Sequence, residues 1–141
     1  MQDYQLIYPM FVLVLLSATV LVTLFRRRVR AVRQGQVSMG YFGIYQGGGE
    51  PEASAKAARH FSNLFEAPTL FYAGCLAAMV THDAGIAVQV LAWFYVAARM
   101  VHAIIHLGAN RIGRRVRAYG IGWLALMGLW IHVVAHVALN T

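Results

Sequence analysis

Three short patterns in this chain combine residue types that hold or move charge. Arg59, Asn63 and Glu66 follow one another at spacings of four and three. At about 100° per residue they share an arc of about 60° on one helical face. Arg99, His102 and His106 share an arc of about the same width. Arg115 and Tyr119, four apart, lie on one face of a further segment. Guanidinium forks suit carboxylates, a carboxylate suits an ammonium, and imidazoles accept or donate. The set offers one carboxylate, Glu66, against three arginines and two histidines. Two arrangements are open. In one, Glu66 pairs with Arg59 or Arg99 and the histidines bridge, which is purely structural. In the other, the side chains surround an anionic ligand with at least one cationic group for Glu66. An uncompensated buried charge is expensive, so the surplus of positive groups favours the ligand.

The elements that must position these residues are membrane spans. The chain has 141 residues, 60% hydrophobic and only 12% charged, with positive mean hydropathy. That composition belongs to membrane proteins. Spans of about 20 residues fit at 4–25, 57–81, 85–107 and 118–139, giving an all-α, four-transmembrane-helix bundle in one domain, residues 1–141. No positively charged stretch precedes the first span and no small-residue cleavage site follows it, so it is read as a retained helix rather than a signal peptide. Pro9 is tolerable in its first turns, and no breaker stands before Gly35, so the helix can run past the lipid. Glu66 lies roughly 13 Å along the second span at about 1.5 Å per residue. A carboxylate at that depth in lipid costs roughly 2.5–3.5 kcal/mol, so it should face protein or water. Pro68 is expected to kink that span.

The charge of +7 is placed at the ends of apolar segments, which points to lipid headgroups and an anionic substrate rather than nucleic acid. Arg26, Arg27, Arg28, Arg30, Arg33, Lys56, Arg111, Arg114, Arg115 and Arg117 occupy the first and third connections. The turn 81–84 and both termini hold none, so the positive-inside rule puts the two long connections in the cytoplasm and both termini outside. The glycines of 34–56 lack the strand–turn–helix context of a nucleotide loop. They read as a flexible loop, with Ser54 as a helix cap and the aromatic stretch 39–45 at the interface. Gly74 and Ala78 permit close helix approach.

Together, in order and at matching depth, the motifs resemble those of the MAPEG superfamily, the membrane-associated proteins in eicosanoid and glutathione metabolism. Arg59-x-x-x-Asn63-x-x-Glu66 resembles its second-helix motif. Arg99-x-x-His102-x-x-x-His106 and Arg115-x-x-x-Tyr119 resemble the third- and fourth-helix pattern of its prostaglandin E synthase branch. The resemblance is to a divergent, bacterial-type member, and implies an inner-membrane homotrimer with glutathione bound between protomers near the cytoplasmic side. It assigns Arg59, Asn63, Glu66, Arg99, His102, His106, Arg115 and Tyr119 to that site, with Arg26 as a further member. It makes Arg115 the catalytic arginine beside the sulfur, Glu66 the partner of the ammonium and Asn63 the partner of a peptide group. The implied activity is a glutathione-dependent transferase or peroxidase acting on an apolar electrophile that arrives from the lipid. The chain departs from the prostaglandin branch at Ser62, where that branch has another arginine, at His106 in place of a tyrosine, and at Val116 in place of a serine. Pro68 also lies closer to the glutamate. These departures motivate a second reading, a non-catalytic lipid-binding or structural membrane protein of the same fold. A proton pathway ranks last, because the polar groups occupy one half of the bilayer only.

Two features stand outside the motifs. Cys75, the only cysteine, sits in an apolar run and reads as a small core residue. His132 and His136 have the spacing of a helical metal-ligand pair, but no further ligands are fixed by the sequence. No metal is therefore expected, and Asp83, which with His82 is predicted on the same side of the membrane, reads as the cap of the third span.

Overall fold

The computed structural model describes residues 3–140; Met1, Gln2 and Thr141, included above in the single domain and its termini, lie outside the described residues. Among the described residues every regular element is helical. A 3-10 turn, Asp3–Leu6, leads into α1 (Ile7–Arg33); α2 (Tyr41–Ile44) is a single turn; then come α3 (Glu52–Asn63), α4 (Ala67–Val80), α5 (Ile86–Leu107) and α6 (Ile112–Asn140). Four segments are long and apolar enough to cross a membrane: Tyr4–Arg33, Glu52–Val80, Ile86–Leu107 and Ile112–Asn140.

The first helix runs beyond its apolar part to Arg33, as the absence of a breaker allows, and Gly35 turns the chain with φ +68°. The arginines there do more than mark the membrane surface. Arg27 donates to the carbonyls of Ala53 (2.8 Å) and Leu107 (3.0 Å), tying α1 to α3 and to the end of α5. A cation there also meets the negative end of the α5 dipole. Arg28 pairs with Glu50 at 2.9 Å and lies 4.7 Å from the Phe42 ring centroid. The glycine-rich loop and its aromatic turn are thereby pinned to α1.

The second span departs from the single helix expected over 57–81. It starts earlier, at Glu52, and breaks into α3 and α4 across Leu64, Phe65 and Glu66. Pro68 lacks a donor and occupies the first turn of α4, where none is needed. Glu66 precedes that turn with φ −91° and ψ −98°, outside helical values. Ser54 is not the cap. It lies inside the first turn of α3, buried, with its hydroxyl donating to the Pro51 carbonyl at 3.0 Å.

Helices α5 and α6 are joined by a short turn in which Asn110 takes φ +47°, a conformation asparagine tolerates better than most residues. Helix α6 begins at Ile112 rather than near 118, so Arg114, Arg115 and Arg117 are helical. The core joins all four spans: Leu13 from α1, Phe71 and Cys75 from α4, Tyr95 and Val96 from α5, and Leu126 and Leu129 from α6. The Phe71 and Tyr95 rings stack at 4.5 Å. Gly74 serves close approach, since a Cβ there would lie 2.7 Å from Leu129 Cδ2 and 3.1 Å from Trp130 Nε1.

Asp83 does not cap α5 either. Gly85 occupies the cap position with no side-chain bond. Asp83 Oδ1 instead lies 3.4 Å from both His132 Nε2 and His136 Nδ1. The 81–84 turn is thus fastened to the far end of α6.

Candidate functional site

The inward stripe of α3 is Ser54, Ala57 and His60, all buried. Its spacing of three keeps the three residues on one face of the helix. Arg59 and Asn63 flank this stripe rather than form it. Arg59 is exposed, Asn63 is half-buried, and Glu66, beyond the break, is exposed. Across from α3, helix α5 turns Arg99, His102 and His106 inward, and all three are buried. Gly122 on α6 faces this side of α5, where even a Cβ would reach the Arg99 Cδ only at 3.8 Å.

Arg99 is 1% exposed. Its Nη2 donates to Asn63 Oδ1 at 2.8 Å and to the Asn63 carbonyl at 3.2 Å. Asn63 Nδ2 in turn donates to Glu66 Oε2 at 3.3 Å. The direct ion pair considered for Glu66 is therefore replaced, among the described residues, by a relay in which one amide joins guanidinium and carboxylate. The break in the second span makes this geometry. It releases Glu66 from the helical register while its backbone carbonyl still accepts from the Thr69 hydroxyl.

From α6, Arg115 donates to Asn110 Oδ1 at 2.9 Å, and its backbone carbonyl lies 3.3 Å from His102 Nδ1. Tyr119 packs its ring 5.5 Å from that of His102 and 5.5 Å from the Arg99 guanidinium carbon. A cavity of about 290 Å³ is lined by Asn63, His102, His106, Arg115, Val116 and Tyr119. Five of the side chains named by the sequence motifs thus share one wall, with Arg99 held by Asn63 behind it. Arg26 is not among them in a single chain. It lines a separate cavity of about 530 Å³ with Arg30, Arg33 and Gln34. Glu66 and Arg59 stand outside the pocket, on the surface of α3 and its break.

The sequence motifs pass over His60. It is 0% exposed, and its ring lies 5.4 Å from that of His102 and 5.0 Å from that of His106. The signal was present in its register, since it follows Ala57 by three on the buried face of α3.

A model of the MAPEG family matches residues 6–135, which reaches into all four spans and takes in every residue of the site. The chain belongs to the MAPEG family. It is therefore an integral, multi-pass membrane protein of the group that works in eicosanoid and glutathione metabolism. No curated protein and no solved structure matches the chain significantly. The groups of the site fit a zwitterionic thiol peptide such as glutathione. Arg115 lines the pocket, Arg99 lies behind its wall with Nε buried and without an acceptor, and Arg59 is exposed beside it. The site also has an exposed carboxylate for an ammonium, and an amide between them.

Proposed function

We propose that this MAPEG member is a glutathione-dependent membrane transferase or peroxidase acting on an apolar electrophile. The observation that carries the reading is Arg99. A guanidinium that is 1% exposed, with a neutral amide as its nearest partner, is an anion site looking for its anion, because burying an unpaired charge is strongly unfavourable. Arg99 and Arg59 would hold the carboxylates of the tripeptide, Glu66 its ammonium, and Asn63 a peptide group. Arg115 would stand beside the sulfur, where a positive charge favours the thiolate over the thiol. Bound there, glutathione supplies the nucleophile, and Val116 and Tyr119 give the cavity an apolar flank for the electrophile. The cavity of about 290 Å³ falls just below the range of ligand sites, about 300 to 1,000 Å³. A neighbouring protomer would enlarge it, consistent with the homotrimer the family resemblance implies. The arginine-rich helix ends, the last part of α1 and the first turns of α6, would face the cytoplasm of a bacterial inner membrane.

The test is calorimetric binding of glutathione to detergent-purified protein, followed by conjugation to an activated aryl halide. Millimolar affinity or better is expected. Arg115→Ala should bind glutathione within a few-fold of wild type, yet lose on the order of a hundredfold in turnover, the size expected when a positioned charge is removed from a reacting atom. No binding at millimolar glutathione overturns the reading. Lipid that glutathione does not displace from the cavity would favour instead the non-catalytic protein of the same fold, for which Val116 in the pocket wall is the motive.

A further inference from the structure

Behind the pocket wall three histidines converge. One ring nitrogen from each of His60, His102 and His106 lies within 4.8 Å of the others. All three residues are buried, His60 at 0% and His102 at 3% exposure. Four of their nitrogens are buried without a hydrogen-bond partner: His60 Nδ1 and Nε2, His102 Nε2 and His106 Nδ1. Buried polar atoms are almost always partnered, because leaving one without a hydrogen bond is unfavourable. One such nitrogen from each of the three rings calls for a shared partner. Nothing in the charge-holding motifs uses His60, so the tripeptide reading does not explain it.

We propose that His60, His102 and His106 form a three-histidine zinc site whose fourth position opens toward the cavity. Four observations support it. His102 and His106 are i, i+4 on one helix, the spacing at which a helical pair binds zinc. His102 Nδ1 faces the Arg115 carbonyl at 3.3 Å, which fixes that nitrogen as the donor and leaves Nε2 free to ligate, as metal-bound histidines are usually oriented. The ring centroids are separated by 5.0, 5.4 and 5.6 Å. Three imidazoles held tetrahedrally at about 2.05 Å would place their centroids roughly 5.2 Å apart. The rings therefore already stand at bound spacing, and binding needs them to swing their nitrogens inward rather than the helices to approach. Finally, no carboxylate or thiol joins the cluster among the described residues, which leaves three protein ligands and an open position, the arrangement of catalytic rather than structural zinc.

The surrounding charge sets the fourth ligand. Arg99 and Arg115 are nearby but turned to Asn63 and Asn110. With three neutral imidazoles and two guanidiniums around a dication, an anion is favoured at the open position: hydroxide in the resting protein, or a thiolate if one is present. The site does not depend on glutathione binding and is testable without it.

The experiment strips detergent-purified protein with a chelator, reloads it with zinc alone, removes free metal by dialysis and measures bound metal by mass spectrometry. About one zinc per chain is expected. His60→Ala should lower the occupancy at least roughly tenfold, whereas the double variant His132→Ala with His136→Ala should keep it. X-ray absorption of the loaded wild type, which needs no variant, should count three imidazole nitrogens. If His60→Ala does not yield monodisperse protein, His60→Gln with the same readout and the wild-type imidazole count decide. Wild type that retains no zinc overturns the proposal, and so does zinc that survives loss of His60 or leaves with His132 and His136. Glutathione binding by metal-stripped protein is measured separately, so failure of either reading leaves the other standing.

Discussion

Asn63 is the residue on which the charge arrangement turns. Its amide accepts from a buried guanidinium and donates to an exposed carboxylate. Both charges are stabilised, yet neither is neutralised. Asn63→Asp separates stability from binding. A carboxylate in place of the amide, 2.8 Å from Arg99 Nη2, would turn a hydrogen bond between a charged and a neutral group into a hydrogen-bonded ion pair. It would also repel Glu66, which is exposed and can swing away. The variant should therefore melt no lower than wild type, and it should bind glutathione at least about tenfold more weakly, a difference of about 1.4 kcal/mol, because Arg99 is already satisfied. Thermal unfolding in detergent and calorimetry read the two effects. Unchanged affinity would return the relay to a structural role. Glu66→Gln is the companion variant. It keeps the hydrogen bond from Asn63 but removes the charge, so it should weaken glutathione while leaving the melting temperature in place.

At the scale of elements, the number of spans, their order and the inward face of α5 were legible because each rests on a long periodic pattern. Arg99, His102 and His106 share an arc by spacing alone, and all three are buried. The break after Asn63 was only half legible. Pro68 announces a disturbance, but the structure turns the expected kink into a helix end and a new start, which lifts Glu66 off the face assigned to it. Asp83 was misread as a cap because its partners, His132 and His136, are some fifty residues away, a pairing that only packing creates. His60 escaped notice because an adjacent arginine carried the motif while the histidine took the buried seam. Packing between α4 and α6 can be tested directly. A Cβ on Gly74 would stand 2.7 Å from Leu129, itself fully buried, and close to Trp130, whose indole donates to the Leu70 carbonyl at 3.1 Å. Gly74→Leu should push the two helices apart and cost about 1–3 kcal/mol, seen as a lower melting temperature and loss of monodispersity. Gly120→Leu, where nothing lies within 4 Å of the added Cβ, should leave both unchanged. Equal effects of the two substitutions would argue that helix propensity rather than close approach governs the site.

For the whole molecule, the distribution of polar groups argues for assembly. Glu66 and Arg59 are exposed on a single chain, and Arg26 lines a cavity separate from the one holding Arg115. Charged groups left at a lipid-facing surface are costly, and a neighbouring copy that covered α3 would remove that cost; the further question is whether such a copy also brings one chain's Arg26 to another's Arg115. A ring of three such heterologous contacts closes on itself. Interallelic complementation tests this without a structure. Arg26→Ala and Arg115→Ala should each lose most of the conjugation activity when expressed alone. Co-expressed in equal amounts and assembled at random, about a quarter of the interfaces would join an intact Arg26 from one chain to an intact Arg115 from the next. Activity should return to about that fraction of wild type if each site takes one arginine from each of two chains. If both arginines served a site within one chain, no mixture of the two variants would contain an intact site and none would be active. Full activity of Arg26→Ala alone would remove Arg26 from the site and leave the cavity that it lines to the lipid headgroups.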